Sequence, residues 1–289
     1  MNGKRLSLFL SFFAAIAVSF AAPLQYQTLI PTSLPSPQTL SWPNLQQSES
    51  TLSVNLHHVD NLSPAFNSSP HSLFKLRLQR DAARAKALSA MAASSKPRGG
   101  GDFSSSVTSG IAQGSGENAV YTPLLTNPKL DTFYYLGLNG ISVGGKRVPG
   151  ITASLFKLDG IGNGGVILDS GTSVTRLTRP AYVSLRDAFV AGAPNLKRDL
   201  EFSLFDTCFD LSGKTEVKVP TVVLHFEGAD VSLPASNYLI PVDSDGKFCF
   251  AFAGTNTGLS IIGNIQQQSF RVVFDLAANR VGFAPRGCV

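Results

Sequence analysis

Between Val166 and Leu177 the chain runs Val-Ile-Leu-Asp-Ser-Gly-Thr-Ser-Val-Thr-Arg-Leu, so a short apolar strand delivers a carboxylate, Asp169, directly into a glycine turn. An acid at the end of a buried strand loses solvation, which is costly unless neighbouring groups donate hydrogen bonds to it. The next residues can do so. Gly171 lets the backbone turn tightly enough for its own N–H to approach the carboxylate, and Thr172 adds a hydroxyl donor. Ser170 points the other way and can bond a neighbouring loop. The pattern predicts a rigid, hydrogen-bonded carboxylate at the surface of a sheet, suited to activating water. An aspartate in any turn after a strand shares the bare tripeptide, so the surrounding sequence has to decide.

That surrounding sequence is β in texture from Ala119 onward. Short apolar runs such as VPTVVLHFEG, VSLPASNYLI, KFCFAFAG and SIIGN are punctuated by glycine and proline, which number 26 and 17 in the whole chain. Such spacing argues a β-rich lobe. A turn is expected at Gly144-Gly145 between two strands. The one clear helix of this part is 179–192, where Tyr182, Leu185 and Phe189 recur at helical spacing, with Thr178 near its start and Gly192 at its end. Gly160, Gly162 and Gly165 mimic a dinucleotide-binding fingerprint, but they precede a strand instead of following one, so they read as a turn.

The N-terminal part is different. Lys4 and Arg5 precede an apolar run from Leu6 to Phe20, with small Ser19 and Ala21 behind it. This is the pattern of a secretory signal peptide over 1–21, and it is too short for a membrane span. Secretion is the expected destination. A plastid transit peptide competes with it, because the residues that follow are rich in serine, and the vacuole is a further secretory-route destination. Residues 22–50 lack periodicity and are expected to be disordered. Residues 51–60 alternate like a strand; His57 and His58 there would face opposite sides and do not chelate together, so no metal is expected.

Residues 72–88 predict a helix, with Leu73, Leu76 and Ala83 near one face and five cations, Lys75, Arg77, Arg80, Arg84 and Lys86. A solvated basic face is the plain reading. The sharper one is a prosegment helix lying over an acidic cleft, leaving when acid neutralises the carboxylates beneath it. A prosegment is therefore assigned to 22–93. A flexible processing linker follows at 94–118, and the folded lobe occupies 119–289.

The formal charge of +5 is concentrated early: residues 1–118 hold nine Lys/Arg against five Asp/Glu, while residues 119–289 hold fifteen against fourteen. A nearly neutral lobe without a recognisable RNA or DNA module argues against nucleic acid as a partner.

Taken together, DSGTS, SIIGN (Ile261, Ile262 and Gly263 within it), FDTCFDLS (205–212), residues 219–240, FCFAFAG (248–254) and residues 263–288 resemble the C-terminal lobe of pepsin-like aspartic proteases, in their plant nepenthesin-like subgroup. LHHVD, the basic helix and SGIAQGSGE resemble that subgroup's prosegment and mature start. The resemblance implies a mainly β fold, one lobe of a bilobal acid protease with one main helix after the Asp-Ser-Gly loop. It implies that Asp169 is catalytic, that Ser170, Gly171 and Thr172 support its loop, and that Ile261, Ile262 and Gly263 cross behind it. It further implies hydrolysis of peptide bonds in protein substrates by activated water, with no cofactor and no metal. Cys208 and Cys249 are expected to bridge within the lobe. Cys288 would then be unpaired, its family partner belonging to a lobe not found in this sequence.

The departure from the family pattern is large. QGSGE runs almost directly into NAVYTPLL, which resembles the end of the first lobe. Asp131, Asp206 and Asp243 each precede a Thr or Ser, yet none is followed by glycine in the third place; Asp169 alone is. Aspartic protease chemistry uses two carboxylates sharing one proton. One carboxylate neither holds a water between two acids nor polarises the scissile carbonyl, so this chain alone is expected to be inert or weak. An apolar inter-lobe face is also expected to be exposed and to invite self-association; a variant of this reading pairs two copies so that their Asp169 loops face one another. A non-catalytic binding protein, similar to the plant xylanase inhibitors, is the alternative function. A longer two-lobe enzyme from which this sequence lacks a segment is a third reading.

Overall fold

The computed structural model of the chain describes residues 23–32, 69–94 and 119–285. In chain order its elements are β1 (Tyr26–Leu29), α1 (Pro70–Ala93), β2 (Val120–Leu125), β3 (Tyr134–Leu136), β4 (Leu138–Val143), β5 (Lys146–Arg147), β6 (Val166–Leu168), β7 (Thr175–Thr178) and α2 (Arg179–Gly192), followed by β8 (Lys197–Asp199), β9 (Cys208–Asp210), β10 (Val217–Pro220), β11 (Val222–Phe226), β12 (Ala229–Leu233), β13 (Leu239–Pro241), β14 (Lys247–Phe250), β15 (Phe252–Thr255), β16 (Ser260–Ile262), α3 (Asn264–Gln267), β17 (Phe270–Asp275) and β18 (Arg280–Pro285). The mainly β character expected from the strand spacing is what these residues form. The expected signal peptide, the strand expected at 51–60 with His57 and His58, residues 95–118 of the expected linker, and Cys288 lie outside the described residues.

A long sheet of order β15-β7-β16-β6-β3-β2-β18-β17 carries the Asp169 loop at its β6 and β16 strands. These two run parallel, Ile261 opposite Ile167 and Ile262 opposite Leu168. Two further sheets, β12-β11-β4-β5 and β13-β14-β9-β8, pack around it, and β1 pairs with β10. All six residues of β6 and β16 are buried, which is why both read as unbroken apolar runs instead of alternating.

Helix α2 closes the main core. Its Ala181, Tyr182, Leu185, Phe189 and Gly192 are buried, the face its helical spacing predicts. Phe189 stacks on Phe250 at 4.4 Å between ring centres and meets Tyr238 edge-on at 5.7 Å. Cys208 and Cys249 face each other across β9 and β14 and are joined by a disulfide.

Helix α1 starts with Pro70 in its first turn, where its missing N–H would have no helical partner, and Ser69 accepts a bond from the Ser72 N–H at 3.3 Å. Between Pro70 and Ala93 no glycine or β-branched residue interrupts it, so it runs past the expected 72–88 at both ends. Its buried stripe is Leu78, Asp81, Ala85, Leu88 and Ala92, joined by Leu73 one turn earlier. Of the expected face, Leu73 is buried, Leu76 is half-buried and Ala83 is exposed. The reason is that the stripe is organised around an acid: Asp81 sits in the middle of it, and an apolar-only reading passes over that position.

Helix α1 lies against β6 and β16, where its Ala85, Leu88 and Ala92 cluster with Tyr135, Ile167, Leu259 and Ile261, while Leu78 packs with Val174 and Phe205. Each leucine so buried is worth about 1.5–3 kcal/mol of transfer free energy. Residues 22–50, expected to be disordered, contain strand β1. It is stabilised not by local propensity but by antiparallel pairing to a distant strand edge, Tyr26 opposite Pro220 through Leu29 opposite Val217.

Candidate active site

Asp169 emerges from β6 with its N–H still in the sheet ladder, donating to the Ile262 carbonyl at 3.1 Å. The chain then reverses, and the Thr172 N–H donates back to the Asp169 carbonyl at 3.2 Å. This turn brings two donors onto the carboxylate: the Gly171 N–H reaches Oδ1 at 3.1 Å and the Thr172 hydroxyl reaches Oδ2 at 2.5 Å. Ser170 points away, its hydroxyl donating to Gln267 Oε1 at 2.8 Å. The three supporting residues thus divide their work as their chemistry suggests.

The loop behind the site comes from β16. Gly263 passes so close to β7's approach that a Cβ there would lie 2.6 Å from the Ser173 carbonyl oxygen and 2.8 Å from its carbon. Only glycine permits that backbone crossing. The crossing is tied by Gly263 N–H to Thr175 Oγ1 at 2.9 Å, Asn264 N–H to the Thr172 carbonyl at 2.7 Å, and Ile265 N–H to the Ser173 carbonyl at 3.1 Å. Asn264 Nδ2 also donates to the Ser170 carbonyl at 3.1 Å, and Gln267 Nε2 to the Ile262 carbonyl at 3.0 Å. Thr175, Asn264 and Gln267 are positioning residues that sequence reasoning did not single out. For Asn264 and Gln267 the available signal was a polar side chain shortly after Ile-Ile-Gly, and for Thr175 a second threonine three residues after Thr172.

Helix α1 completes the site. Arg84 places Nε 3.0 Å from Asp169 Oδ2 and Nη2 2.9 Å from Oδ1, a two-pronged pairing that fits the planar guanidinium. The guanidinium rests on Gly171, where a Cβ would come within 2.6 Å of Nη2. One helical turn earlier, Asp81 accepts hydrogen bonds from the Ser173 N–H and, at 3.4 Å, from the Val174 N–H, and pairs with Arg176 Nη2 at 2.7 Å. Its side chain is 2% exposed and that of Arg176 is 12% exposed. Helix and loop therefore exchange charges: an acid of α1 enters the loop, and a base of α1 covers the loop's acid.

Burial works to raise the Asp169 pKa, but the Arg84 guanidinium, the Thr172 hydroxyl and the Gly171 N–H together hold it below the ordinary carboxylate value. The hydrogen bond to Asp169 in turn raises the Arg84 pKa. Asp169 therefore stays ionised with four donors on its two oxygens, about the full lone-pair capacity of a carboxylate. In this arrangement it has no free acceptor position for a catalytic water.

Residues 133–285 match the family described as xylanase inhibitor C-terminal. Over 196 residues, 68% of this chain and 39% of the relative, it is 75% identical to Aspartyl protease family protein 2 of Arabidopsis thaliana. Over 191 residues, 64% of this chain and 43% of the relative, it is 40% identical to Aspartic proteinase nepenthesin-1 of Nepenthes gracilis. Among solved structures it is similar to the crystal structure of edgp, with a TM-score of 0.52 and 26% identity over 58% of this chain and 46% of that one. The chain spans about two fifths of the length of the curated relatives it matches. With a strand-borne Asp-Ser-Gly-Thr loop, an Ile-Ile-Gly crossing behind it and these likenesses, the chain belongs to the plant pepsin-like aspartic protease family and carries the C-terminal part of its fold.

Proposed function

We propose that this chain carries one half of an aspartic endopeptidase active site, held in a self-blocked, zymogen-like form. The observation that carries the reading is the two-pronged contact of Arg84 with Asp169. Asp169 is the residue that would take a proton from water, and a second, protonated acid from a first lobe would act on the scissile carbonyl. General acid–base assistance is worth roughly 10²–10⁴-fold, so a lobe with one acid is inert towards peptides or nearly so. In this reading residues 22–93 are the prosegment, 1–21 direct the chain into the secretory route, and protein substrates meet the site only after α1 leaves. Self-association through the β6 and β16 face likewise requires α1 to leave, since that helix covers it.

Supplying the missing acid in trans tests this. The chain is mixed at acid pH with the separately produced first lobe of the 75%-identical Arabidopsis relative. Peptide hydrolysis is expected in the mixture and not in either part, and is lost with Asp169→Asn. Lobes that assemble and leave the peptide intact contradict the proposal.

A second reading has a specific support, the match to the xylanase inhibitor C-terminal family. A non-catalytic role binding a glycosidase predicts that Asp169→Asn leaves capture of such an enzyme unchanged and that no first lobe confers hydrolysis.

A further inference from the structure

Strand β10 has an edge that a remote piece of the chain fills. Four residues of β1 pair with it, and the contact continues upstream: the Gln25 N–H donates to the Gly144 carbonyl at 2.8 Å and the Thr221 N–H to the Gln25 carbonyl at 3.0 Å. The segment is thus held on both sides by backbone. Its side chains alternate as a strand requires, Tyr26 and Thr28 exposed, Gln27 half-buried and Leu29 buried.

The two inward side chains enter places shaped for them. Leu29 joins the main apolar core and is 5% exposed. Gln27 Nε2 donates to the Leu233 carbonyl at 3.0 Å and to the Tyr238 hydroxyl at 2.6 Å. That hydroxyl belongs to a residue with no measurable exposure and donates onward to the Pro220 carbonyl at 2.9 Å, which leaves its lone pair aimed at an incoming amide. The turn between β4 and β5 completes the cradle: a Cβ at Gly145 would lie 2.6 Å from the Gln25 side chain. Backbone pairing along an edge, with pockets for alternate side chains, is how sheets recognise extended peptides.

We propose that the β10 edge, with the Gly144-Gly145 turn and the Tyr238 hydroxyl, is a peptide-binding site separate from Asp169. It takes an extended peptide carrying glutamine two residues before leucine, and in this chain it is occupied by residues 24–29. In the resting chain it ties the segment upstream of α1 to the lobe by contacts that do not involve Arg84 or Asp169. Once that segment is removed, the same groove is open to another peptide of this pattern.

The test uses the full chain and a fluorescent peptide of residues 23–32. In the Leu29→Asp chain, whose own segment no longer seats, the peptide binds saturably and at least about ten-fold more tightly than to the wild-type chain, where the tethered segment competes. A Gln27→Ala peptide binds about ten-fold more weakly, having lost both amide hydrogen bonds. Independently of that variant's folding, Tyr238→Phe in the otherwise unchanged chain speeds amide exchange across residues 24–29 several-fold and leaves α1 unaffected. Binding no tighter than that of a scrambled peptide to a folded Leu29→Asp chain overturns the proposal. So do amides at 24–29 that exchange at the unstructured rate in the wild-type chain, a measurement that decides alone if the Leu29→Asp chain does not fold.

Discussion

Arg84 and Asp169 meet edge to edge across 85 residues of chain, two nitrogens on two oxygens at 3.0 and 2.9 Å. The contact occupies the acceptor positions that an aspartate needs for activating water. Replacing Arg84 with Ala is expected to raise the Asp169 pKa, because burial then acts against fewer stabilising donors. Titration of the Asp169 carboxyl by carbon NMR reads this directly. Stability should fall only by about 0.2–1 kcal/mol, since the Arg84 side chain is 48% exposed and solvent screens the pair.

The same contact sets a pH dependence for α1. A carboxylate whose folded pKa is depressed contributes stability that is present above its unfolded value and is lost as pH falls through the folded value. For Asp169 the folded value is the lower one, so Arg84 holds through mildly acid conditions and lets go only below the ordinary Asp range near about 3.9. Amide exchange along 70–93 followed against pH should accelerate below that range. In the Arg84→Ala chain the acceleration should be weaker and should not track Asp169.

Asp81 is the deeper of the two charge contacts and should matter more. Asp81→Ala strands Arg176 and two backbone N–H groups under the helix. Removing one partner of a buried pair costs about 3–5 kcal/mol, an upper bound here because undocking α1 returns Arg176 to water. Limited proteolysis should cut α1 in Asp81→Ala at a pH where the wild-type helix resists.

The disulfide supports the lobe, not the site. Cys208 and Cys249 close a loop with a sequence separation of 41, for which the loop-entropy relation gives about 4 kcal/mol. Cys208→Ala with Cys249→Ala should lower the denaturant midpoint accordingly and leave the Arg84–Asp169 contact in place.

Much of the site was legible because its chemistry is local. The apolar run into Asp169, the turn glycine and the Thr172 hydroxyl lie within a few residues, and α2 announces itself through Tyr182, Leu185 and Phe189. Of the contacts that join distant segments, the Cys208–Cys249 bridge came only through the family resemblance and the basic helix over an acid only in outline from its cations; the others were not legible. A single acid in a basic helix reads as a solvent-facing residue, so Asp81 gave no sign that it anchors α1. Leu24, Gln27 and Leu29 sit in a Ser/Pro/Gln-rich stretch, and β1 exists only because the β10 edge accepts it. Gln267 and Asn264 look like loop polarity until the Ser170 and Ile262 backbone is placed beside them.

The most direct test is to incubate the monodisperse, single-copy chain with a denatured protein at acid pH, beside its Asp169→Asn variant. The account predicts the same absence of cleavage from both. Turnover by the single-copy chain that disappears in Asp169→Asn would contradict it.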